Sequence, residues 1–532
     1  MILITICSLV LLATLWLYLR QVYSRFSKYG VKHLPPVPLL GNHAKFTLGL
    51  EDLGTLTVKT YNSFSEERFV GSFAFLNPVV FIRDLELLRK ITVKDFEHFL
   101  NHRPLVDENV DPFMGKILFS LNDQKWKDMR STLSPAFTNS KIRLMVPFMV
   151  EVGDQMVRSL NKKIEKSAGG YIDIDVKDLM TRYTNDVIAS CAFGLKVDSH
   201  TDEHNQFYKL GRFSTNYTLK QILTFSAYNA FPNLMKTLNA HVFREKTNKF
   251  FKDLVLNTMK DREAKKIIRN DMIHLLMEAR KGNLKHDDKV TKDWGGFAAV
   301  EESDVGKKQV NAVWTDEELI AQAVMFFIAG FETVSTAMVF CLHELAMNPD
   351  IQDTLVREIQ ENHEKSDGEI DYNSIQQMAY MDMVVSETLR LWSPVFTTDR
   401  MCIKDYNIGK PNKYATEDFI VRKGEEINVP IWAFHRSPEY FPDPLKFDPE
   451  RFSEENKHKI KPFSYIPFGI GPRNCLGSRF ALCEIKVMLY QLLLAMEVSV
   501  ADKTCIPAEV AKGTGFHLRM KGGHWVRMKT RN

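Results

Sequence analysis

Cysteine is scarce in this chain: there are seven among 532 residues, scattered along the sequence and without a CxxC pair. This spacing favours neither a disulfide framework nor a zinc site, and it is typical of a reducing compartment with at most one chemically special thiol. The chain also lacks a strong charge bias, since it has 70 basic and 66 acidic residues and a net charge of +4. Such near balance argues against nucleic acid as a partner.

Charge is absent altogether from the 18 residues Ile2–Leu19. As a helix this run spans roughly 27 Å, close to the hydrocarbon thickness of about 30 Å. A cleaved signal peptide is the alternative, but no charged region precedes the run and no small-residue cleavage site follows it. Basic residues, which tend to stay in the cytosol, come next: Arg20, Arg25, Lys28 and Lys32. The pattern predicts a single transmembrane anchor, residues 1–19, with the rest of the chain in the cytosol.

Three prolines in four residues follow, at Pro35, Pro36 and Pro38. They cannot form a helix and favour a stiff, extended connector. We therefore divide the chain into the anchor, a basic and proline-rich hinge over residues 20–40, and one domain over residues 41–532. Within that domain only residues 286–311 lose periodicity, and we expect a solvated loop there.

The remaining pattern is mostly helical, with short extended pieces near residues 69–81, 403–408, 419–430 and the C-terminal end. It predicts a mainly α domain with small β-sheets. One helix stands out, since Thr315 and Glu318 form a capping box and Pro349 marks the end about 33 residues later, or roughly 50 Å. Its middle is apolar nearly all round, so this helix should run through the core.

The segment from Pro467 to Gly477 holds three glycines, an arginine and a cysteine. It resembles the haem-binding loop of the cytochrome P450 superfamily, and the matching positions are Phe468, Gly471, Arg473, Cys475 and Gly477. The resemblance implies that Cys475 is the thiolate ligand of the haem iron, that Arg473 pairs with a haem propionate and that Phe468 helps to bind the cofactor. A buried structural cysteine in a glycine-rich turn is the alternative, which this many matches disfavour.

Physical reasoning about the loop points the same way. Cys475 lies just before a long helical pattern, Ser478 to Glu497, so the helix dipole and free amides are expected to lower the pKa of its thiol. Thiolate ligation pushes electron density towards iron and favours O–O cleavage. Gly469, Gly471 and Gly477 are expected to let the backbone approach a flat ligand closely.

Two further segments match the superfamily in chain order. Glu387 and Arg390 form its ExxR pair on one helix face, which alone means little because such pairs are common on surfaces. Arg451, in Pro449-Glu450-Arg451-Phe452, is expected to join them in a buried network, since a buried arginine needs partners. The resemblance implies that this triad supports the haem loop and takes no part in catalysis.

Trp126 and Arg130 resemble the superfamily's WxxxR helix, which implies contacts with the haem propionates. Their i, i+4 spacing presents both on one face, although an ordinary packed surface helix would look the same. Arg400 and His435 stand where members of the superfamily often place further propionate contacts.

The segment Ala329-Gly330-Phe331-Glu332-Thr333 matches the superfamily's oxygen-activation motif. Gly330 costs about 1 kcal/mol of helix stability relative to alanine, and a local opening of the helix over the iron would explain it. The resemblance implies that Glu332 and Thr333 are catalytic and relay protons to the reacting dioxygen. Alternatively, Glu332 is only salt-bridged and Thr333 bonds back to the preceding turn.

The resemblance covers nearly the whole chain and is strongest to microsomal animal enzymes, in particular to insect enzymes that metabolise xenobiotics. It implies the cytochrome P450 fold, haem as cofactor, and insertion of one oxygen atom from O2 into a lipophilic small molecule, either a xenobiotic or an endogenous lipid or hormone. NADPH electrons would arrive through NADPH–cytochrome P450 reductase, with cytochrome b5 as a further candidate partner, at the endoplasmic reticulum membrane. The rivals are a haem-thiolate isomerase or dehydratase, which should lack the Glu332–Thr333 pair, and a non-enzymatic haem binder.

Overall fold

The computed structural model describes residues 1–531 apart from positions 105, 107, 109, 203, 216–217, 239, 241–244, 282–295, 309 and 311. Helices dominate this part of the chain. Their bounds are α1 Ile2–Tyr23, α2 Ala44–Thr47, α3 Leu53–Asn62, α4 Leu85–Arg89, α5 Pro112–Gly115, α6 Asp123–Leu133, α7 Asn139–Glu165, α8 Val176–Cys191, α9 Gln206–Thr215, α10 Leu219–Ala230, α11 Pro232–Thr237, α12 Glu245–Lys265, α13 Met272–Arg280, α14 Asp304–Lys307, α15 Asp316–Met347, α16 Pro349–Lys365, α17 Tyr372–Gln376, α18 Ala379–Leu391, α19 Ile431–His435 and α20 Ser478–Ala495.

The strands form small sheets, as expected, and most lie close to the predicted extended pieces, but Tyr171–Asp175 and Met496–Ser499 are strands that the sequence pattern did not predict. One sheet has the order β1-β2-β7-β4, a second β3-β9-β8 and a third β5-β6. Their bounds are β1 Phe69–Ala74, β2 Asn77–Ile82, β3 Tyr171–Asp175, β4 Thr398–Met401, β5 Tyr406–Asn407, β6 Ile420–Val421, β7 Glu426–Val429, β8 Met496–Ser499 and β9 Trp525–Thr530.

Helix α1 stands apart from the domain, and none of its residues is buried. Its mean hydropathy of 2.5 and its 22 residues make it a candidate membrane span. It continues past the predicted end at Leu19 to Tyr23. Helix α15 is also apolar enough by length and composition, with a mean hydropathy of 1.8, but most of it is buried inside the domain. An apolar helix surrounded by protein is a core helix, whereas one with an apolar surface on every side suits lipid.

The segment after α1 packs against the domain. Phe26 is fully buried and contacts Phe73 and Phe419, with ring centroids 5.1 and 5.7 Å away. Arg25 pairs with Glu425 at 2.6 Å. The division of the chain at residues 19 and 40 stays a prediction, but these contacts attach the residues just after α1 to the body.

Helix α15 forms the centre of the fold as predicted. Thr315 accepts a hydrogen bond from the backbone N–H of Glu318, and the Glu318 side chain reaches back to cap the helix. The expected opening at Gly330 is wrong, because the helix is continuous through this residue. A Cβ at Gly330 would lie 3.0 Å from Cδ1 of Ile188, so glycine here allows α8 to pack closely.

The expected solvated loop over residues 286–311 needs correction where the structure describes it. Positions 286–295, 309 and 311 lie outside the described residues. Phe297, in contrast, packs its ring 5.0 Å from Phe452 and 5.6 Å from Tyr465. The stretch that follows includes α14, which lies against α6. Aromatic packing of this kind orders a segment that charge composition alone marks as loop.

Candidate haem site

The loop that carries Cys475 is a series of tight turns ahead of α20. The Cys475 N–H donates to the Phe468 carbonyl at 2.8 Å, and the Asn474 N–H donates to the Gly471 carbonyl at 2.9 Å. Phe468 itself packs against the main apolar core. These bonds hold Cys475 three residues before Ser478, the first residue of α20.

Gly471 has a structural role that differs from the expected one. Its φ is +72°, and a Cβ there would come 1.9 Å from the Thr92 carbonyl oxygen. The close approach that requires glycine is therefore to the protein's own backbone. A side chain would have to displace the segment around Thr92 and, with it, the cysteine loop.

Cys475 is exposed on its loop, but its thiol is not activated in the way the sequence suggested. Desolvation by the surrounding protein raises the pKa of the Cys475 thiol, although the Gly477 N–H and the Arg130 charge both act to lower it. The predicted lowering of the pKa is thus not found, because desolvation by the protein around the loop outweighs the nearby amide and cation. A cysteine ligand binds as thiolate, so metal binding would have to release this proton.

Arg473 and Trp126 lie together beside the loop. The Arg473 guanidinium is 4.0 Å from the centroid of the buried Trp126 ring. Its nitrogens donate to the Leu100 and Leu121 carbonyls, both at 2.8 Å. The stacked ring and the two carbonyls hold the guanidinium in one orientation, as suits a cation that receives an anionic group.

Arg400 brings a second buried cation to the same place. It donates to the Asp399 carbonyl at 2.6 Å and to the Ile470 carbonyl at 3.1 Å. Desolvation lowers the pKa of Arg400 to about 10, and desolvation with repulsion from Arg400 lowers the pKa of Arg473 well below its ordinary value. The Asp399 carboxylate attracts both guanidinium groups, but within the described part of the chain neither of them makes a direct salt bridge with a carboxylate.

At Arg473 the repulsion from Arg400 exceeds the attraction of the nearby Asp399, so an added anion would stabilise this pair of buried cations. Arg473 belongs to the loop that carries the exposed Cys475, and Arg400 bonds to the Ile470 carbonyl of the same loop. The cysteine sulfur is a soft ligand suited to iron. A flat iron porphyrin offers two anionic propionates for the arginines and an iron ion for the sulfur, so the residues present fit haem.

His102 is a member of this cluster that sequence reasoning missed. Its Nδ1 lies 3.0 Å from Asp399 Oδ1, and its ring stacks on Phe119 at 4.3 Å. Desolvation lowers the pKa of His102 to about 4 in spite of Asp399, and the charges of Arg400 and Arg473 act in the same direction. No local pattern singles out this histidine, because its partner is 297 residues away.

Arg130 and His435 have protein partners in the structure, and their expected propionate contacts stay predictions. Arg130 donates to the Asn474 carbonyl at 2.8 Å and pairs with Glu302 at 2.7 Å. The His435 Nε2 accepts the Ile466 N–H at 2.9 Å, and burial lowers the pKa of this ring to about 3.

The expected triad behind the loop forms. Arg390 makes a two-pronged contact with Glu387 at 2.7 and 2.8 Å, and both side chains are fully buried. Arg451 Nε stands 3.5 Å from Glu387 Oε1. Arg390 also donates to three carbonyls: those of His435, Pro444 and Lys446. It thereby connects α18 to the segment that leads to the cysteine loop.

On α15, Glu332 is a carboxylate held by cations. Its Oε1 lies 2.9 Å from Lys177 Nζ and contacts the Arg519 guanidinium still more closely. Desolvation alone would raise the pKa of Glu332, but Lys177 and Arg519 lower it far below its ordinary value. The Thr333 hydroxyl donates to the Ala329 carbonyl one turn back. Both features of the non-catalytic alternative are therefore present in this conformation, and the relay stays a prediction.

Comparison with known proteins identifies the family of this chain. The family model for cytochrome P450 matches residues 32–526. Cytochrome P450 9e2 of Blattella germanica is 44% identical over 95% of this chain and 94% of its own length. Probable cytochrome P450 9f2 of Drosophila melanogaster is 41% identical over 95% of both chains. Cytochrome P450 6a2 of the same fly is 34% identical over 97% of this chain and 99% of its own.

P450 enzymes hold haem and use O2 with electrons that originate from NADPH. The family match extends over the candidate haem loop, the triad and α15, and each relative covers the chain almost from end to end. The chain therefore belongs to the cytochrome P450 family and is a monooxygenase of that family.

Proposed function

We propose that this chain is a membrane-anchored, microsomal monooxygenase that inserts one oxygen atom into a lipophilic small molecule, with Cys475 as the sulfur ligand of its haem. The observation that carries the proposal is that one loop brings together an exposed Cys475 and two buried cations that repel each other, Arg473 on the loop and Arg400 bonded to it. A xenobiotic or an endogenous lipid or hormone is the proposed substrate class.

When bound, haem supplies the iron centre at which O2 is activated. The protein's part is to hold and orient it. Arg473, stacked on Trp126, and Arg400 would receive the propionates, and Phe468 would pack beside the sulfur. Arg130 and His435 are proposed as further contacts.

Glu332 and Thr333 would then deliver protons from α15. Glu332 is ionised in this conformation, in contact with Lys177 and Arg519. One of these cations has to move away and the carboxylate has to take up a proton before Glu332 can act as an acid. Thr333 has to turn its hydroxyl away from the Ala329 carbonyl. The proposal therefore requires a rearrangement of side chains at this step while the helix stays intact.

The proposed electron donor is NADPH–cytochrome P450 reductase, with cytochrome b5 as a second donor, and the proposed location is the endoplasmic reticulum membrane. Support comes from the exposed apolar helix α1 and its basic flank, which favours a cytosolic body. Lipid would surround α1 alone.

Reconstitution of the full-length chain with reductase and vesicles tests the proposal. A panel of lipophilic compounds is first screened for binding through the spin-state change of the haem absorption band. We expect binders to be oxidised only when NADPH is present, with one atom of isotopically labelled O2 in each product. Product without NADPH would indicate an isomerase or dehydratase instead. Binding without any conversion of the tightest binders would indicate a non-enzymatic haem protein.

A further inference from the structure

Residues 296–308, which we term the strap, lie against the cysteine loop. The Asn474 side-chain Nδ2 donates to the Glu301 carbonyl at 2.9 Å. At one end of the strap the Phe297 N–H donates to Asp382 at 2.8 Å, and at the other the Ser131 hydroxyl donates to the Lys308 carbonyl. The strap thereby joins α18, the cysteine loop and α6.

Glu302 makes the strongest polar contacts of the strap. The Arg130 Nη2 lies 2.7 Å from Glu302 Oε2, and its Nε lies 3.2 Å from Oε1. The Ser134 hydroxyl donates to Oε2 at 3.1 Å. The Arg130 side chain is only 3% exposed and that of Glu302 22%. A two-pronged pair that is this well shielded from water sets the orientation of the guanidinium more strictly than a surface contact would.

Arg130 transmits that orientation to the residue before Cys475. Its Nη1 donates to the Asn474 carbonyl at 2.8 Å and its Nη2 to Asn474 Oδ1 at 2.7 Å. The Asn474 side chain is therefore held on one side by Arg130 and on the other by the Glu301 carbonyl. Movement of Arg130 would release both the side chain and the peptide that leads into Cys475.

We propose that Glu302 is a positioning residue for the sulfur ligand: by fixing Arg130 against Asn474, it holds Cys475 in the geometry that keeps a thiolate bond to the haem iron. This inference rests on the proposed role of Cys475. It gives Arg130 a role at the cysteine loop in addition to the proposed propionate contact.

The experiment compares three full-length, haem-loaded variants: Glu302→Ala, Glu302→Gln and Glu301→Ala. Glu301 is the matched control, since it is the adjacent acid and only its backbone carbonyl contacts Asn474. The readouts are the fraction of ferrous, carbon monoxide-bound protein with a thiolate-type spectrum during mild warming, the haem reduction potential and the thermal unfolding midpoint.

We expect Glu302→Ala to lose the thiolate-type spectrum about ten-fold faster than wild type. This is the rate change expected when one charge-assisted hydrogen bond that holds the ligand geometry is removed. Glu302→Gln, which keeps an acceptor oxygen, should recover part of this loss, and Glu301→Ala should match wild type. The reduction potential should shift most in Glu302→Ala, less in Glu302→Gln and not in Glu301→Ala.

Equal decay in Glu302→Ala and Glu301→Ala would overturn the proposal. So would a lower unfolding midpoint with an unchanged thiolate fraction and potential, or failure of both Glu302 variants to fold, because the role would then be structural. A wild-type protein without a thiolate-type spectrum would instead contradict the proposed function, and Cys475→Ala identifies that case independently.

Discussion

Lys177 Nζ on α8 lies 2.9 Å from Glu332 Oε1 on α15, and this contact joins the two helices in the interior. Desolvation lowers the pKa of Lys177 to about 8, while Glu332 opposes the shift. Arg519 contacts the same carboxylate oxygen. The single negative charge of the carboxylate thus offsets part of the repulsion between the two cations.

Removal of this carboxylate should therefore cost more stability than removal of an ordinary side chain. We expect Glu332→Ala to lower the free energy of unfolding by about 3–5 kcal/mol, because Lys177 and Arg519 are left without their counter-charge. The double variant with Lys177→Met should recover part of the loss. Denaturant unfolding of both single variants and the double variant measures the coupling, and strictly additive losses would show that the pair does not interact.

The iron ligand is tested by three cysteine variants. We expect Cys475→Ala to abolish the strongly red-shifted carbon monoxide spectrum of thiolate-ligated ferrous haem, because no other sulfur lies on the loop. Cys402→Ala and Cys483→Ala should keep it, since both thiols are buried in apolar cores. Retention of the spectrum in Cys475→Ala would contradict the assignment of Cys475 as the sulfur ligand of the haem iron.

The proton relay is tested at Thr333. We expect Thr333→Ala to keep haem and NADPH consumption but to divert much of the flux to hydrogen peroxide, because a placed hydroxyl is lost with little change of volume. Product and peroxide are both counted per NADPH oxidised.

Thr388→Ala provides the control for that experiment. Thr388 is buried on α18 and bonds back to the Val384 carbonyl, just as Thr333 bonds to Ala329. Unchanged coupling in Thr333→Ala, or equal uncoupling in both variants, would make Thr333 an ordinary helix residue. Loss of haem would make its role structural.

Acid sensitivity should arise in part from His435. Burial lowers the pKa of His435 in the folded chain to about 3, so between this pH and the ordinary value near 6.5 only the unfolded chain binds the proton. Stability therefore falls as the pH falls, by about 2 kcal/mol from this group between about pH 7.5 and pH 5. In His435→Gln the drop in unfolding free energy over this interval should be smaller by that amount. In the exposed-residue variant His458→Gln it should equal the wild-type drop.

The boundary of the anchor can be located by truncation. Deletion of residues 2–19 should leave a folded haem protein with weaker membrane attachment, because α1 buries nothing in the domain. Deletion of residues 2–30 should destabilise it further, by about 3–5 kcal/mol, since fully buried Phe26 is lost. Thermal unfolding compares the two. Release of the full-length chain by alkaline carbonate would contradict a transmembrane anchor.

The sequence alone determined the features that depend on short spans of chain. The uncharged run that becomes α1, the Thr315 cap of α15 and the Cys475 loop each consist of a pattern within a few residues or one helical period. Each of these patterns determines local structure, either through hydrogen bonds between residues that are close in sequence or through an apolar helix surface. The two ends of α15 and the mainly α composition of the domain follow from them.

Only the tertiary structure decided how charged and polar groups are paired. Glu332 bonds to Arg519, which is 187 residues away in the sequence, and Arg130 bonds to Asn474, which is 344 residues away. The direction of the pKa shift at Cys475 likewise depends on how much protein surrounds the thiol, which no local spacing records. Burial and long-range contacts set these properties because the Coulomb energy and the cost of desolvation depend on distances in space and on the surrounding medium.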